Sequence, residues 1–454
     1  MKKGDIINVK ITGYEFPNKG IGIYEDKKVI IKNVMPEQTV SVKIAKKRRN
    51  KIDTKIQEIV ERAPYETEPV CDHFGICGGC LIQTMPYDMQ LEYKKNYVKG
   101  LLDQVIEEDF EFQKIIPSPK PLEYRNKMEF SFGDEYKDGP LSLGMHMRGK
   151  FYEIVTVDTC KIVDSDFTQI LIAVLEYFRG NNATFHHRGR HEGYLRHLVI
   201  RKAEKSGEIL VNLVTSSQGE LNHDEFKSII LDLDIKGIIK GIVNTINDSL
   251  ADVVQCDEMR VLYGDTHITE ELLDLKFDIS PFSFFQTNSL GAEKLYSVVR
   301  DYIGETKDKT IFDLYSGTGT IAQIVAPVAK KVIGIEIIEE AVEKAKENAE
   351  FNNLSNCEFI AGDVLKKVDE LEDKPDIIVL DPPRSGIHPK AIKKIIAFNP
   401  DTFIYVSCNP KALLTDIPEF IEAGYKVEKA VPVDMFPQTG HCETVLKIVR
   451  DIKG

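Results

Sequence analysis

From about residue 310 onward, short apolar runs alternate with helical patterns, and this alternation constrains the fold more than any other feature of the chain. Strands are predicted over 310–314, 331–335, 357–361, 377–380 and 402–407. A glycine-rich loop follows the first, leading into a helix that runs to about Lys330, and a second helix is predicted from Glu339 to about Phe351. Regular β-α-β-α alternation implies a parallel sheet with helices on both faces. In such sheets ligands sit beyond the carboxyl ends of the strands. Those ends carry the informative residues.

The first strand runs into Asp313-Leu314-Tyr315-Ser316-Gly317-Thr318-Gly319. Gly317 and Gly319 permit a sharp turn and a close backbone approach to a ligand. The spacing is not the full G-x-G-x-x-G, so a dinucleotide is disfavoured. Glu336 ends the second strand, where an acid is placed to accept hydrogen bonds from both ribose hydroxyls of a nucleoside cofactor. Asp363 follows the third strand and is placed to accept from an adenine amino group, and Asp381 follows the fourth. Together these features resemble a class I S-adenosylmethionine methyltransferase domain.

Asp381-Pro382-Pro383-Arg384 has an arginine where adenine amino-methyltransferases carry an aromatic residue, which points away from exocyclic-amine methylation. Ser407-Cys408-Asn409-Pro410 follows the fifth strand. A helix expected near Lys411 would favour the Cys408 thiolate through its N-terminal amides. Glu443 lies just before a final strand over 445–449. Methylation of a pyrimidine at C5 requires a nucleophile that adds at C6 and a base that later removes the C5 proton. Cys408 and Glu443 supply that pair. Cys442 is expected to face away from Glu443, and Cys256 and Cys357, in no pattern, are expected in the core.

Asp-Pro-Pro-Arg, Ser-Cys-Asn-Pro and Gly440-His441-Cys442-Glu443-Thr444, in that order, resemble the RNA 5-methyluridine methyltransferase family, as does Phe284-Phe285-Gln286-Thr287-Asn288. The resemblance implies that Gln286, Tyr315, Gly317, Glu336, Asp363 and Asp381 hold S-adenosylmethionine, that Cys408 is the nucleophile and that Glu443 accepts the proton.

The chain has 454 residues, enough for about three domains. Its net charge is −13, yet residues 1–60 carry 14 lysines and arginines against 7 acids. Five apolar alternations in that segment predict a small OB-like β-barrel, and the resemblance identifies it as a TRAM domain. Its dense run (Lys43, Lys46, Lys47, Arg48, Arg49, Lys51, Lys55) is expected to contact RNA phosphate. A second basic stretch from His186 to Arg201 is a candidate for the same role. The expected organisation is an N-terminal barrel (1–60), a central α+β domain with an iron–sulfur cluster (61–280) and a C-terminal Rossmann-like methyltransferase (281–454). No apolar run approaches the 18–20 residues of a membrane span, and no signal-peptide block opens the chain. A soluble, cytoplasmic protein is expected, and nothing in the sequence demands more than a monomer.

Cys71-x5-Cys77-x2-Cys80 places three thiols in a compact, glycine-rich segment, with Cys160 the best fourth ligand and His73 a substitute for it in a zinc site. By ligand type an iron–sulfur cluster and zinc fit equally. The resemblance implies a [4Fe-4S] cluster on the four cysteines. A radical S-adenosylmethionine enzyme would show a first gap of three rather than five residues. With barrel and cluster both expected, the resemblance points to 23S rRNA as substrate, with tRNA as the alternative. A non-catalytic RNA-binding protein and a cytosine methyltransferase are the further rivals.

Overall fold

The computed structural model describes residues 2–48, 51–250, 256–367, 371 and 373–451. At the N-terminus a six-stranded sheet wraps one apolar core of Val9, Ile11, Val29, Ile31, Val40, Val42, Ile44 and Ile52. The strand beyond the five expected is the short Gly13–Glu15, which has no apolar alternation of its own to reveal it. The basic run falls on the hairpin formed by Thr39–Lys47 and Lys51–Glu61. Lys43, Lys46 and Lys55 are exposed there, Arg48 and Lys51 pair with Asp53, and Arg49 lies outside the described residues.

The middle of the chain is α+β, as expected. Seven strands between Lys127 and Gly264 form one mixed sheet, and helices Ser165–Gly180 and His223–Leu231 cover one of its faces. The second basic stretch does not form one solvated surface. Arg196, His197 and Arg201 are buried within strand Leu195–Lys202, while the histidines and arginines of 186–191 occupy the preceding loop.

The C-terminal sheet contains β1 (Thr306–Leu314), β2 (Ala329–Glu336), β3 (Cys357–Ala361), β4 (Ile377–Leu380), β5 (Thr402–Ser407), β6 (Tyr425–Val433) and β7 (Glu443–Arg450). Their spatial order is β3-β2-β1-β4-β5-β7-β6, with β7 antiparallel to its neighbours. Ile377-Ile378-Val379-Leu380 is buried at every position, as a parallel strand covered on both faces must be. The strand order reverses between β1 and β4, and that crevice is where such sheets bind ligands. Glu443 opens β7 rather than preceding it.

The core around the C-terminal sheet also draws in chain from before residue 280. Strand Glu111–Phe112 pairs with β6 at the sheet edge. Val98 and Leu102 of helix Tyr87–Leu102 pack with Phe403, Leu413 and Ile417, and hairpin Ile268–Ile279 packs on the other face. No described helix is long and apolar enough to cross a membrane.

Candidate active site

A cavity of about 550 Å³ opens at the carboxyl ends of β1, β4 and β5. Of the residues expected to act, Cys408, Glu443, Gln286, Tyr315, Gly317 and Asp381 line it. Glu336 and Asp363 do not line it. Glu336 accepts from the Gly317 amide at 3.0 Å and the Ile338 amide at 3.0 Å, so it braces the glycine loop. Asp363 accepts from the Leu365 amide at 3.0 Å, at the start of a four-residue helix. The loop itself is shaped by left-handed backbone at Tyr315 (φ 67°), Gly317 (φ 56°) and Gly319 (φ 72°). A Cβ on Gly319 would fall 2.5 Å from the Phe359 ring, so no larger residue fits there.

Cys408 and Glu443 meet because β5 and β7 are antiparallel neighbours. Ser407 pairs with Thr444, which puts the residue after β5 beside the first residue of β7. Glu443 is buried, and burial pushes its carboxyl up to about 8, with the Asp381 charge adding to the shift and Arg384 opposing it. Burial likewise pushes Asp381 up to about 7. The Cys408 thiol is pushed up to about 12 by burial, then by Glu443 and Asp381, against the opposing charge of Arg384. The expected thiolate-favouring helix start is not beside it. That helix begins at Leu413, and desolvation with two carboxylates dominates at the sulfur.

Arg384, Asn409 and His441, quoted above within motifs, take specific positions in the site, and Arg125 joins them without having been singled out from the sequence. Arg384 donates to His441 Nδ1 at 3.1 Å, and burial and the Arg384 charge hold the imidazole pKa down. Asn409, next to Cys408, donates to the Arg384 carbonyl at 2.8 Å and so ties the Asp381–Arg384 turn to β5. Arg125 reaches the cavity from the central sheet. No local spacing marks it. Asp313 is fully buried, accepts from the Ala322 amide at 2.9 Å, and leaves Oδ1 without a partner.

The sequence model of the tRNA (uracil-5-)-methyltransferase family matches residues 86–450. The chain belongs to this family. An uncharacterized RNA methyltransferase of Clostridium tetani is 54% identical over 450 residues, 99% of each chain. One of Caldanaerobacter subterraneus is 48% identical over 445 residues, 98% of this chain and 99% of that one. Among solved structures, the Pyrococcus abyssi tRNA (uracil-54, C5)-methyltransferase in complex with S-adenosyl-L-homocysteine superposes with TM-score 0.77 at 27% identity, covering 98% of this chain and 100% of that one.

The remaining cysteines of this family member sort by position. Cys442 is buried in the core and faces away from the cavity, as expected. Cys357 packs against the core. Cys256, expected in the core, is exposed, because it follows residues 251–255 on a loop rather than lying in a strand. Cys71, Cys77, Cys80 and Cys160 are free thiols gathered at one place. Burial pushes Cys80 up to about 12 and Cys160 up to about 11, and each of these two is raised further by other thiols of the set. Their two segments are tied together: His73 meets Asp158 at 2.9 Å, and the Thr159 hydroxyl donates to Asp72 at 2.9 Å. Among the described residues no group of three or more His, Cys, Asp or Glu side chains is arranged to hold a metal ion.

Proposed function

We propose that this RNA methyltransferase forms 5-methyluridine, with 23S rRNA as its substrate, by the joint action of Cys408 and Glu443. The observation that carries the reading is the placement of these two residues on adjacent antiparallel strands of one cavity, beside Gln286 and Asp381. The cavity suits S-adenosylmethionine: Asp381 and Glu443 line it as polar partners, and the left-handed Tyr315–Gly317 turn lets backbone approach a ligand closely. Gln286, Tyr315, Gly317 and Asp381 would hold the cofactor there, with Glu336 and Asp363 reached through the glycine loop. Bound there, it supplies an electrophilic methyl group.

The protein's own residues supply the rest. The Cys408 thiolate adds to uracil C6, and the ring electrons move to C5 and O4, making C5 nucleophilic. Once C5 carries the methyl group, the Glu443 carboxylate removes the C5 proton, the 5,6 double bond re-forms and the thiolate leaves. Arg384 lowers the pKa of both Cys408 and Glu443, which favours the anionic form each step needs. A paired uracil cannot reach Cys408, so the target base is unpaired or extruded.

Cys71, Cys77, Cys80 and Cys160 are assigned as the ligands of a [4Fe-4S] cluster. The support is four free thiols on two braced segments, with Cys80 and Cys160 each raised by burial and by other thiols of the set. The cluster's contribution here is to fix the segment that supports the catalytic loop. The N-terminal barrel, read as a TRAM domain, would hold RNA backbone.

The preference for rRNA over tRNA rests on the resemblance of the barrel-plus-cluster combination. A tRNA substrate is favoured by the likeness to the Pyrococcus abyssi enzyme. Covalent trapping separates the two. The protein and S-adenosylmethionine are mixed with 23S rRNA fragments or with tRNA, each containing 5-fluorouridine, whose fluorine cannot leave as a proton does. A protein–RNA adduct with rRNA, absent in Cys408→Ala, is the expected result. An adduct with tRNA alone would overturn the substrate, and none with either RNA would overturn the reaction.

A further inference from the structure

The segment Tyr124-Arg125-Asn126-Lys127, which leads into strand Lys127–Asp134, is bonded to two loops that line the cavity. The Asn126 amide donates to the Thr287 carbonyl at 2.9 Å, and the Asn126 side chain donates to the Gln286 carbonyl at 3.1 Å. On the other side, the Tyr124 hydroxyl donates to the Pro437 carbonyl at 3.0 Å. Arg125, held by its Nε on the Lys127 carbonyl at 2.9 Å, lines the cavity.

Lys127 lies directly opposite Arg201 in the antiparallel ladder, so two cations share one face of the sheet. Arg201 is only 3% exposed. Its guanidinium donates to the carbonyls of Pro281 and Ser283, and its Nε has no hydrogen-bond partner. None of the three cations makes an ion pair among the described residues. Glu129, two residues along the strand, is exposed, and its charge partly opposes the effect of the neighbouring cations on Lys127. Burial, with Arg201 and Arg125 adding to it, holds the Lys127 ammonium down to about 8. Like charges directly opposite one another on a strand pair are destabilising, and a buried cation without a counter-ion is costly. Such an arrangement is relieved by an anion that arrives from outside.

We propose that Arg125 and Lys127, backed by the buried Arg201, clamp a phosphodiester next to the nucleotide whose base enters the cavity. This rests on the RNA reading above and adds the place where the backbone is gripped. The base goes in toward Cys408, while its phosphate stays beside Arg125, which lines the cavity, and Lys127, two residues further along the same segment. A rigid grip there orients the extruded nucleotide without reading its sequence.

The test measures binding of a fluorescein-labelled single-stranded 15-nucleotide RNA with one central uridine across a salt series. Lys127→Met should weaken binding about tenfold and lower the slope of log K against log[salt] by about 0.7, the loss of one single-strand phosphate contact. Lys127→Arg should restore both. Lys307→Met, at the opposite end of β1, should change neither, and S-adenosylhomocysteine binding should persist in every variant as the control for folding. An unchanged slope in Lys127→Met, in a protein that binds the RNA and methylates RNA uracil, would overturn the clamp alone. Absence of RNA uracil methylation by the unsubstituted protein would instead overturn the reading on which it rests.

Discussion

Replacing Glu443 by glutamine should make Cys408 a faster nucleophile toward a small alkylating agent, and only at alkaline pH. The reasoning starts from the β5–β7 ladder. Ser407 and Thr444 are paired, so Cys408 and Glu443 are adjacent across the strands. At a charge separation of about 5 Å and an effective dielectric between about 20 and 80, one carboxylate costs a neighbouring thiolate about 1–3 kcal/mol, or about one to two pKa units. Glu443 carries its charge only above its own raised pKa of about 8. Below pH 7 it is protonated, and the glutamine variant should match the parent. Near pH 9.5 it is ionised, and the variant should have the lower thiol pKa. More thiolate is partly offset by its lower intrinsic nucleophilicity, which leaves a net rate gain of about 3- to 10-fold. The assay is iodoacetamide labelling of the cofactor-free protein at pH 6.5–9.5, with the Cys408 peptide quantified by mass spectrometry. A variant-to-parent ratio that stays flat with pH, or that falls below one, would refute the claim that Glu443 sets the thiol's reactivity.

Two further outcomes follow from other parts of the structure. Asp313, Asp381 and Glu443 are raised to about 8, 7 and 8, well above ordinary carboxyl values, so the folded protein holds protons that the unfolded chain releases. Their stabilising contribution is fully present below about pH 4 and is lost as pH rises through 7–8, so the urea midpoint of the cofactor-free protein should fall between pH 5.5 and 8.5, and a rising midpoint would contradict the burial argument. Anaerobically purified protein should contain about four iron and four sulfide, with Cys71→Ser or Cys160→Ser reducing both; one equivalent of zinc without iron would overturn the cluster.

The parts of the fold that were legible in the sequence are those in which local pattern and tertiary role coincide. Strands β3, β4 and β5 fall at 357–361, 377–380 and 402–407, short apolar runs followed by Gly362-Asp363, Asp381 and Cys408. The helix over 339–351 matches as well, since its apolar positions keep helical spacing on one face. The helix after the glycine loop was expected to reach Lys330 but ends at Val325, where Pro327 turns the chain into a 3₁₀ segment. Cys408, Glu443 and Asp381 were legible because each follows or opens a strand at the ligand-binding edge. Arg125 and Lys94 were not. Their significance comes from residues hundreds of positions away, and nothing in their neighbours' spacing encodes it.

Lys94 shows what the sequence pattern leaves out. It is fully buried on helix Tyr87–Leu102, with Nζ 2.6 Å from the equally buried Asp434 and 3.0 Å from the Phe436 carbonyl. On the same helix Gln90 exchanges hydrogen bonds with Gln438, at 2.9 and 3.0 Å. The Leu81 amide, one residue past Cys80, donates to the Gln438 carbonyl at 2.8 Å. Pro17 of the N-terminal barrel blocks the space a side chain on Gly440 would need. The loop from Asp434 to Cys442, which leads into Glu443 and carries Phe436, Thr439 and His441 to the cavity, is therefore held by helix, cysteine segment and barrel at once. A buried ion pair of this kind contributes little net stability against an apolar replacement, but losing one partner strands a buried charge. Its value here is geometric: it fixes the approach to Glu443. The cysteine segment holds the same loop through Leu81, which connects the four thiols to the wall of the cavity without placing them in it.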